Sequence, residues 1–242
     1  MRRNVLRLLP LIVAIVASPL AGQTTGTRPG PAEAGGTGLP LQASRTADFT
    51  TNRVSWMSLD VSRDGQRIVF DMLGDLYTLP ITGGVATSLS RGLAFESQPR
   101  FSPDGRRVAF VSDRSGADNV WIMSLDGRDT VQVSNRLSGA FISPTWTPDG
   151  NYIVVSRGQL WLYDVTGGAG TQLTRAPAGA MLLGPAFGPD ARYVYYAQRQ
   201  GGWQYNAAMP QAQLGVYDRE AGTATTLTAR YGSAMRPSVS PD

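Results

Sequence analysis

The segment Pro99–Phe110, PRFSPDGRRVAF, returns as PTWTPDGNYIVV from Pro144 and as PAFGPDARYVYY from Pro185. A weaker copy, LDVSRDGQRIVF, starts at Leu59, and PSVSPD from Pro237 opens another. Aligned on their aspartates, Asp64, Asp104, Asp149, Asp190 and Asp242, the copies are spaced by 40, 45, 41 and 52 residues. Three residues before each lies a large apolar residue: Val61, Phe101, Trp146, Phe187 or Val239. Five before lies Pro99, Pro144, Pro185 or Pro237, with Leu59 in the first copy. Four after begins an apolar, β-rich run at Ile68, Val108, Ile153 and Val194. A second apolar pair follows (Leu76-Tyr77, Val120-Trp121, Leu160-Trp161, Val216-Tyr217), and the copies close on TSLS, VQVS, TQLT and TTLT.

Each unit therefore offers four short strands separated by turn signals. The Pro-Asp-Gly element is a turn with a mechanism: Pro presets φ, Asp bonds nearby backbone, and Gly takes the left-handed position. Hairpin residues also join the second strand to the third (LGD, SGAD, RG) and the third to the fourth (TGG, DGRD, TGG, EAG). Four strands in a unit of 40–45 residues is the period of a propeller blade. The spacing predicts an all-β fold, a β-propeller of four-stranded antiparallel blades, incomplete, with four blades and the start of a fifth. One such sheet cannot bury its own faces, so blades stack. This places Trp121, Trp146 and Trp161 in inter-blade core and the unit-opening Pro on a sheet edge. Asp64, Gly65, Asp104, Gly105, Asp149, Gly150 and Asp190 are read as structural turn residues. Arg63 replaces the turn Pro and Ala191 the turn Gly. Ala is costly at positive φ, so the fourth turn is expected to take another type.

Ahead of the repeats, MRRNVLRLLPLIVAIVASPLAGQ has the order of a secretory signal peptide, with Arg first, an apolar run next and small residues last. The apolar run is shorter than the roughly 20 residues of a membrane span. The expected organisation is a signal peptide over 1–22, a flexible Gly/Pro/Thr-rich leader over 23–50, and the truncated propeller over 51–242. Export to the periplasm or outside the cell follows, with no membrane span after cleavage. All 22 basic residues are Arg, and three fall in the first seven positions, so the net charge of +4 drops to +1 without them. No clustered basic face is left to bind nucleic acid.

SPDGRRVAFVSDRSGADNVWIMSLDG, Ser102–Gly127, resembles the TolB-like, or PD40, version of the WD40-type repeat, and the resemblance extends from about Val54 to Asp242. More narrowly, SWMSLDVSRDGQRIVFDMLGDLYTLPITGG, GLAFESQPRFSPDG and AQRQGGWQYNAAMPQAQLGVYDREAG resemble the N-terminal propeller of exported, multidomain amidohydrolases. That resemblance implies a metal-dependent barrel downstream, with a divalent metal such as zinc held there and none in this chain. Related propellers precede the catalytic domains of tricorn-type and prolyl-oligopeptidase-type serine peptidases. A third alternative is a TolB-like propeller that binds a peptide or another protein with no enzyme attached.

The sequence has neither His nor Cys, which removes Ser-His-Asp triads, Cys-His pairs and imidazole or thiolate metal sites. It has no Lys either, so TGGAGT at Thr166 lacks the ending of a phosphate loop. Of three Glu, Glu96 falls between blades, and no non-repeating site pairs two carboxylates. In SDRSGADN, Ser112–Asn119, Asp113 is read as tying the hairpin to its own backbone rather than chelating calcium. No residue is assigned a catalytic or metal-binding role. One feature breaks the repeat. From the anchor Asp to the third-strand aromatic is 13, 17 and 12 residues in the first three units, but 27 in the fourth. The inserted QRQGGWQYNAAMPQAQ carries Arg199, Trp203, Tyr205 and Asn206, expected to bind substrate or to dock the downstream catalytic domain of the same polypeptide.

Overall fold

A computed structural model describes residues 49–200, 211–228 and 233–240. The expected signal peptide and most of the leader lie outside these residues. Among the described residues, sixteen strands form four sheets of four antiparallel strands, each in sequence order. Blade one holds β1 (Leu59–Val61), β2 (Arg67–Met72), β3 (Asp75–Pro80) and β4 (Thr87–Ser88). Blade two holds β5 (Glu96–Phe101), β6 (Arg107–Ser112), β7 (Asn119–Ser124) and β8 (Thr130–Gln132). Blade three holds β9 (Ile142–Trp146), β10 (Tyr152–Arg157), β11 (Gln159–Asp164) and β12 (Thr171–Gln172). Blade four holds β13 (Ala180–Phe187), β14 (Tyr193–Gln200), β15 (Ala212–Asp218) and β16 (Thr223–Thr226). The described residues contain no helix.

The apolar runs are near-continuous because each central strand is buried on both faces. In β6, Val108 and Phe110 face blade one, where they pack with Val69, Leu76 and Leu89. Ala109 and Val111, one residue out of phase, face blade three with Phe141, Trp146, Ile153 and Tyr163. Val154 of β10 turns the other way, joining Leu182, Val194 and Tyr196 of blade four. Three cores thus lie between blades, as the repeat required. Trp121 and Trp146 are buried, and Trp161 packs partly buried against the second core.

The unit-opening prolines do not begin their strands. Pro99, Pro144 and Pro185 sit inside β5, β9 and β13, each within a break in register with the neighbouring strand. The residue before each Pro takes positive φ: Gln98 at 57°, Ser143 at 55° and Gly184 at 57°, with Arg236 at 55° ahead of Pro237. The Pro is tolerated because a bulge on an edge strand demands no ladder N–H there. These bulges also lock blade to blade. Gln98 N donates to Asp71 Oδ2 at 2.9 Å, and Ser143 N donates to Gln98 Oε1 at 2.7 Å.

Candidate functional site

Each blade has a turn end, where the first strand meets the second, and a loop end, which carries the second-to-third hairpins and the connections between blades. At the turn end a hydroxyl two residues ahead of the aspartate does the work of a cap. Ser102 Oγ donates to Asp104 Oδ1 at 2.6 Å and accepts from Arg107 N at 2.9 Å, while Arg106 N donates to the same carboxylate oxygen. Ser62 with Asp64, and Thr147 with Asp149, repeat this. The hydroxyl bond holds Asp64, Asp104 and Asp149 below the usual carboxylate range. Gly65, Gly105 and Gly150 take φ of 69°, 67° and 71°.

The fourth turn corrects the expectation of a different type. Ala191 keeps the left-handed backbone, φ 59°, and its N–H bonds Gly188 O as the Gly65 N–H bonds Ser62 O. Gly188 stands where the other units have Ser or Thr, so Asp190 receives only the Arg192 N–H, at 3.2 Å. The pairings with Phe187–Val194 hold the turn in this shape despite the Cβ.

The loop end differs from blade to blade. Arg199 lies near the end of β14, where its Nη2 contacts Met181 Sδ at 2.9 Å and its Nε is buried without a hydrogen-bond partner. Trp203, Tyr205 and Asn206 lie outside the described residues. In blade two, Glu96 is not between blades. It is the first residue of β5, buried, and ion-paired with Arg114, whose guanidinium stacks over Phe110 and Trp121 at 5.3 and 5.1 Å. The Asp113 backbone ties its own hairpin, its carbonyl accepting from Gly116 N at 2.7 Å, but its carboxylate does not: Oδ1 accepts from Phe95 N at 2.7 Å. The cause is proximity, because the connection from blade one runs past this hairpin. Among the described residues no group of three or more His, Cys, Asp or Glu could hold a metal ion, and no helix is long and apolar enough to cross a membrane.

Sequence reasoning missed a latch at this end. The hydroxyl two residues past each closing strand, on Ser90, Ser134, Thr174 and Thr228, accepts from the N–H of Leu76, Val120, Leu160 and Leu214, always 14 residues back, at 2.9–3.0 Å. In blades two, three and four an amide side chain completes it, and in blade four Gln213 Oε1 accepts from Thr228 Oγ1 at 2.9 Å. Asn119 Oδ1 accepts from Ser134 Oγ and Arg136 N, and Gln159 Oε1 from Thr174 Oγ1 and Ala176 N. The constant spacing was the available signal. Exposed large apolar side chains gather on the loops nearby: Leu73, Leu93, Phe95 and Leu137.

The family model for the TolB beta propeller domain matches residues 57–242. The chain is 35% identical over 123 residues to the uncharacterized peptidase YuxL of Bacillus subtilis, covering 46% of this chain and 18% of that one. It is 30% identical over 129 residues to tricorn protease homolog 1 of Streptomyces coelicolor, covering 50% and 12%. It therefore spans less than a fifth of the length of either relative. The crystal structure of TolB from Acinetobacter baumannii superposes with a TM-score of 0.60 at 20% identity, over 71% of this chain and 43% of that one, a likeness of fold.

Proposed function

The chain belongs to the TolB β-propeller family, and from that premise we propose that it is a non-catalytic propeller serving an exported hydrolase as scaffold, substrate-access module or docking face for the enzyme domain. One observation carries the reading: a repeat matched to longer, hydrolytic relatives has no His or Cys in its sequence and spends its repeat-anchoring carboxylates on turns and latches. Ser233, the Ser of YGSAM, accepts from Ala212 N at 3.2 Å. The motifs of Ser55–Gly84 and Ala197–Gly222 favour a metal-dependent amidohydrolase as the enzyme, with zinc or another divalent metal held downstream. The partner is then the catalytic domain of the same polypeptide. Export to the periplasm or beyond rests on the N-terminal Arg-apolar-small order.

A second reading has an observation of its own. The relatives at 35% and 30% identity are a peptidase and a protease homolog, which favours the propeller of a serine peptidase. A stand-alone protein-binding propeller is the third. The downstream reading frame separates them. A His-x-His following a strand supports the amidohydrolase, and a G-x-S-x-G the peptidase. Termination soon after a sixth blade, with no hydrolytic activity in the purified product, rejects both.

A further inference from the structure

We propose that the loop end of blade three is a receptor for a peptide carboxylate, built from Trp161 and the two guanidiniums stacked on it, Arg136 and Arg157. The molecule contains its own filled version of the site. Trp121 of blade two pairs with Phe110, and Trp161 of blade three with Val155, each partner lying six residues after its anchor aspartate. The two indoles therefore occupy the same place in their blades, and a guanidinium stacks over each: Arg114 over Trp121 at 5.1 Å and Arg157 over Trp161 at 5.8 Å. In blade two the edge of that guanidinium is taken by Glu96, two residues before the bulge residue Gln98. The residue two before the corresponding bulge, Ser143, is Phe141. Blade three thus keeps the stacked cation and replaces its carboxylate by a ring, which Arg157 covers at 5.8 Å.

Blade three then adds a second cation to the same indole, Arg136 at 5.4 Å from the ring. Each guanidinium has one hydrogen-bond acceptor: Ala169 O at 2.8 Å from Arg136 Nη2, and Ser138 O at 3.4 Å from Arg157 Nη2. The Arg157 Nε is buried without a partner. Neither cation has a carboxylate within ion-pair distance among the described residues. Stacking occupies the faces of these groups and leaves their N–H edges, whose fork matches a carboxylate. Two like charges on one ring repel, and an anion shared between them relieves the repulsion. Leu137, next in chain to Arg136 and 94% exposed, supplies an apolar neighbour. A carboxylate beside an aliphatic side chain, as in an acidic peptide segment, fits both features.

The test follows the indole resonance of Trp161 in the intact protein as it is titrated with a capped Gly-Glu-Leu-Gly peptide, with its Gln counterpart, and with acetate or inorganic phosphate. The Glu peptide is expected to shift the resonance saturably, at least about 10-fold more tightly than the Gln peptide, since a charge-assisted bond contributes roughly 1.5–3 kcal/mol. Arg136→Gln, which removes one of the two cations on Trp161 together with its bond to Ala169 O, should weaken the Glu peptide by a similar factor while the unliganded variant keeps the dispersed spectrum of the folded protein. Phe141→Glu, which restores the carboxylate of blade two, should abolish peptide binding. If that buried change prevents folding, the Arg136 variant and the Gln peptide still decide. Equal affinity for the Glu and Gln peptides, undiminished binding by Arg136→Gln, or acetate or phosphate matching the peptide would each overturn the proposal.

Discussion

At the scale of single residues, the fourth turn is where sequence and backbone disagree, and the disagreement can be measured. Ala191 sits at φ 59° where three other units have Gly, and Gly188 stands where they have a hydroxyl. Ala191→Gly removes the Cβ clash of the left-handed region and should stabilise the protein by about 1 kcal/mol in denaturant titration. Gly188→Ser should add to this, because a Cβ there would lie 3.4 Å from Asp190 Oδ1, within reach of the missing hydroxyl bond. If the double change leaves the midpoint where it was, the turn is held by its flanking strands alone. Gly215 is the opposite case. It has ordinary backbone, but a Cβ would lie 2.6 Å from the ring of buried Tyr196. Gly215→Ala should therefore cost about 1–3 kcal/mol by overpacking, with no contribution from backbone strain.

Between residue and blade stand the turn and the latch. Thr174→Val keeps shape while leaving the buried Leu160 N–H without its acceptor and Gln159 Oε1 with one donor fewer, an expected loss of about 1–3 kcal/mol. Hydrogen exchange should locate it, with the Leu160 amide losing protection first. The turn carboxylates set the acid response. Asp64, Asp104, Asp126, Asp149 and Asp164 are held below 3.8 chiefly by hydroxyl hydrogen bonds, and Asp218 is held at about 2 by Arg192. A depressed folded value means stability present above the unfolded value and lost as pH falls through the folded one. Asp60, Asp75 and Asp118 run the other way. Burial raises them, so their ionisation opposes folding as pH climbs through and above 3.8. Because the depressed group is larger, unfolding should set in as pH falls below about 4. Ser102→Ala should move that onset upward. Asp60→Asn should flatten the fall in stability above pH 4, since an amide oxygen can still accept from Phe101 N.

For the whole molecule, the blades were legible because burial on both faces imposes near-continuous apolar runs on the central strands, and because each turn needs Asp and a left-handed residue at fixed spacing. The bulges were not. Gln98 and Ser143 take positive φ through contacts from neighbouring blades, which no local pattern encodes. Nor was the Glu96–Arg114 pair, since Glu96 reads as a connection until β5 is extended past its Pro. The same stacking logic yields a prediction about solution behaviour. The residue three before each anchor aspartate is 7% exposed at Phe101 and 6% at Trp146, but 42% at Val61. Leu59 at 45% and Met57 at 42% share its end of blade one, because among the described residues no blade lies against that face. Blade stability is largely a sum of neighbour interfaces, so these 242 residues expressed alone should self-associate with rising concentration and melt over a broad range. Sedimentation at two concentrations and calorimetry measure both. Val61→Asp should reduce the association, since Val61 touches the exposed face and contributes to none of the three inter-blade cores. A monodisperse monomer with one sharp transition would mean that blade one is complete without a further neighbour, and that stacking on both faces is not what the repeat requires.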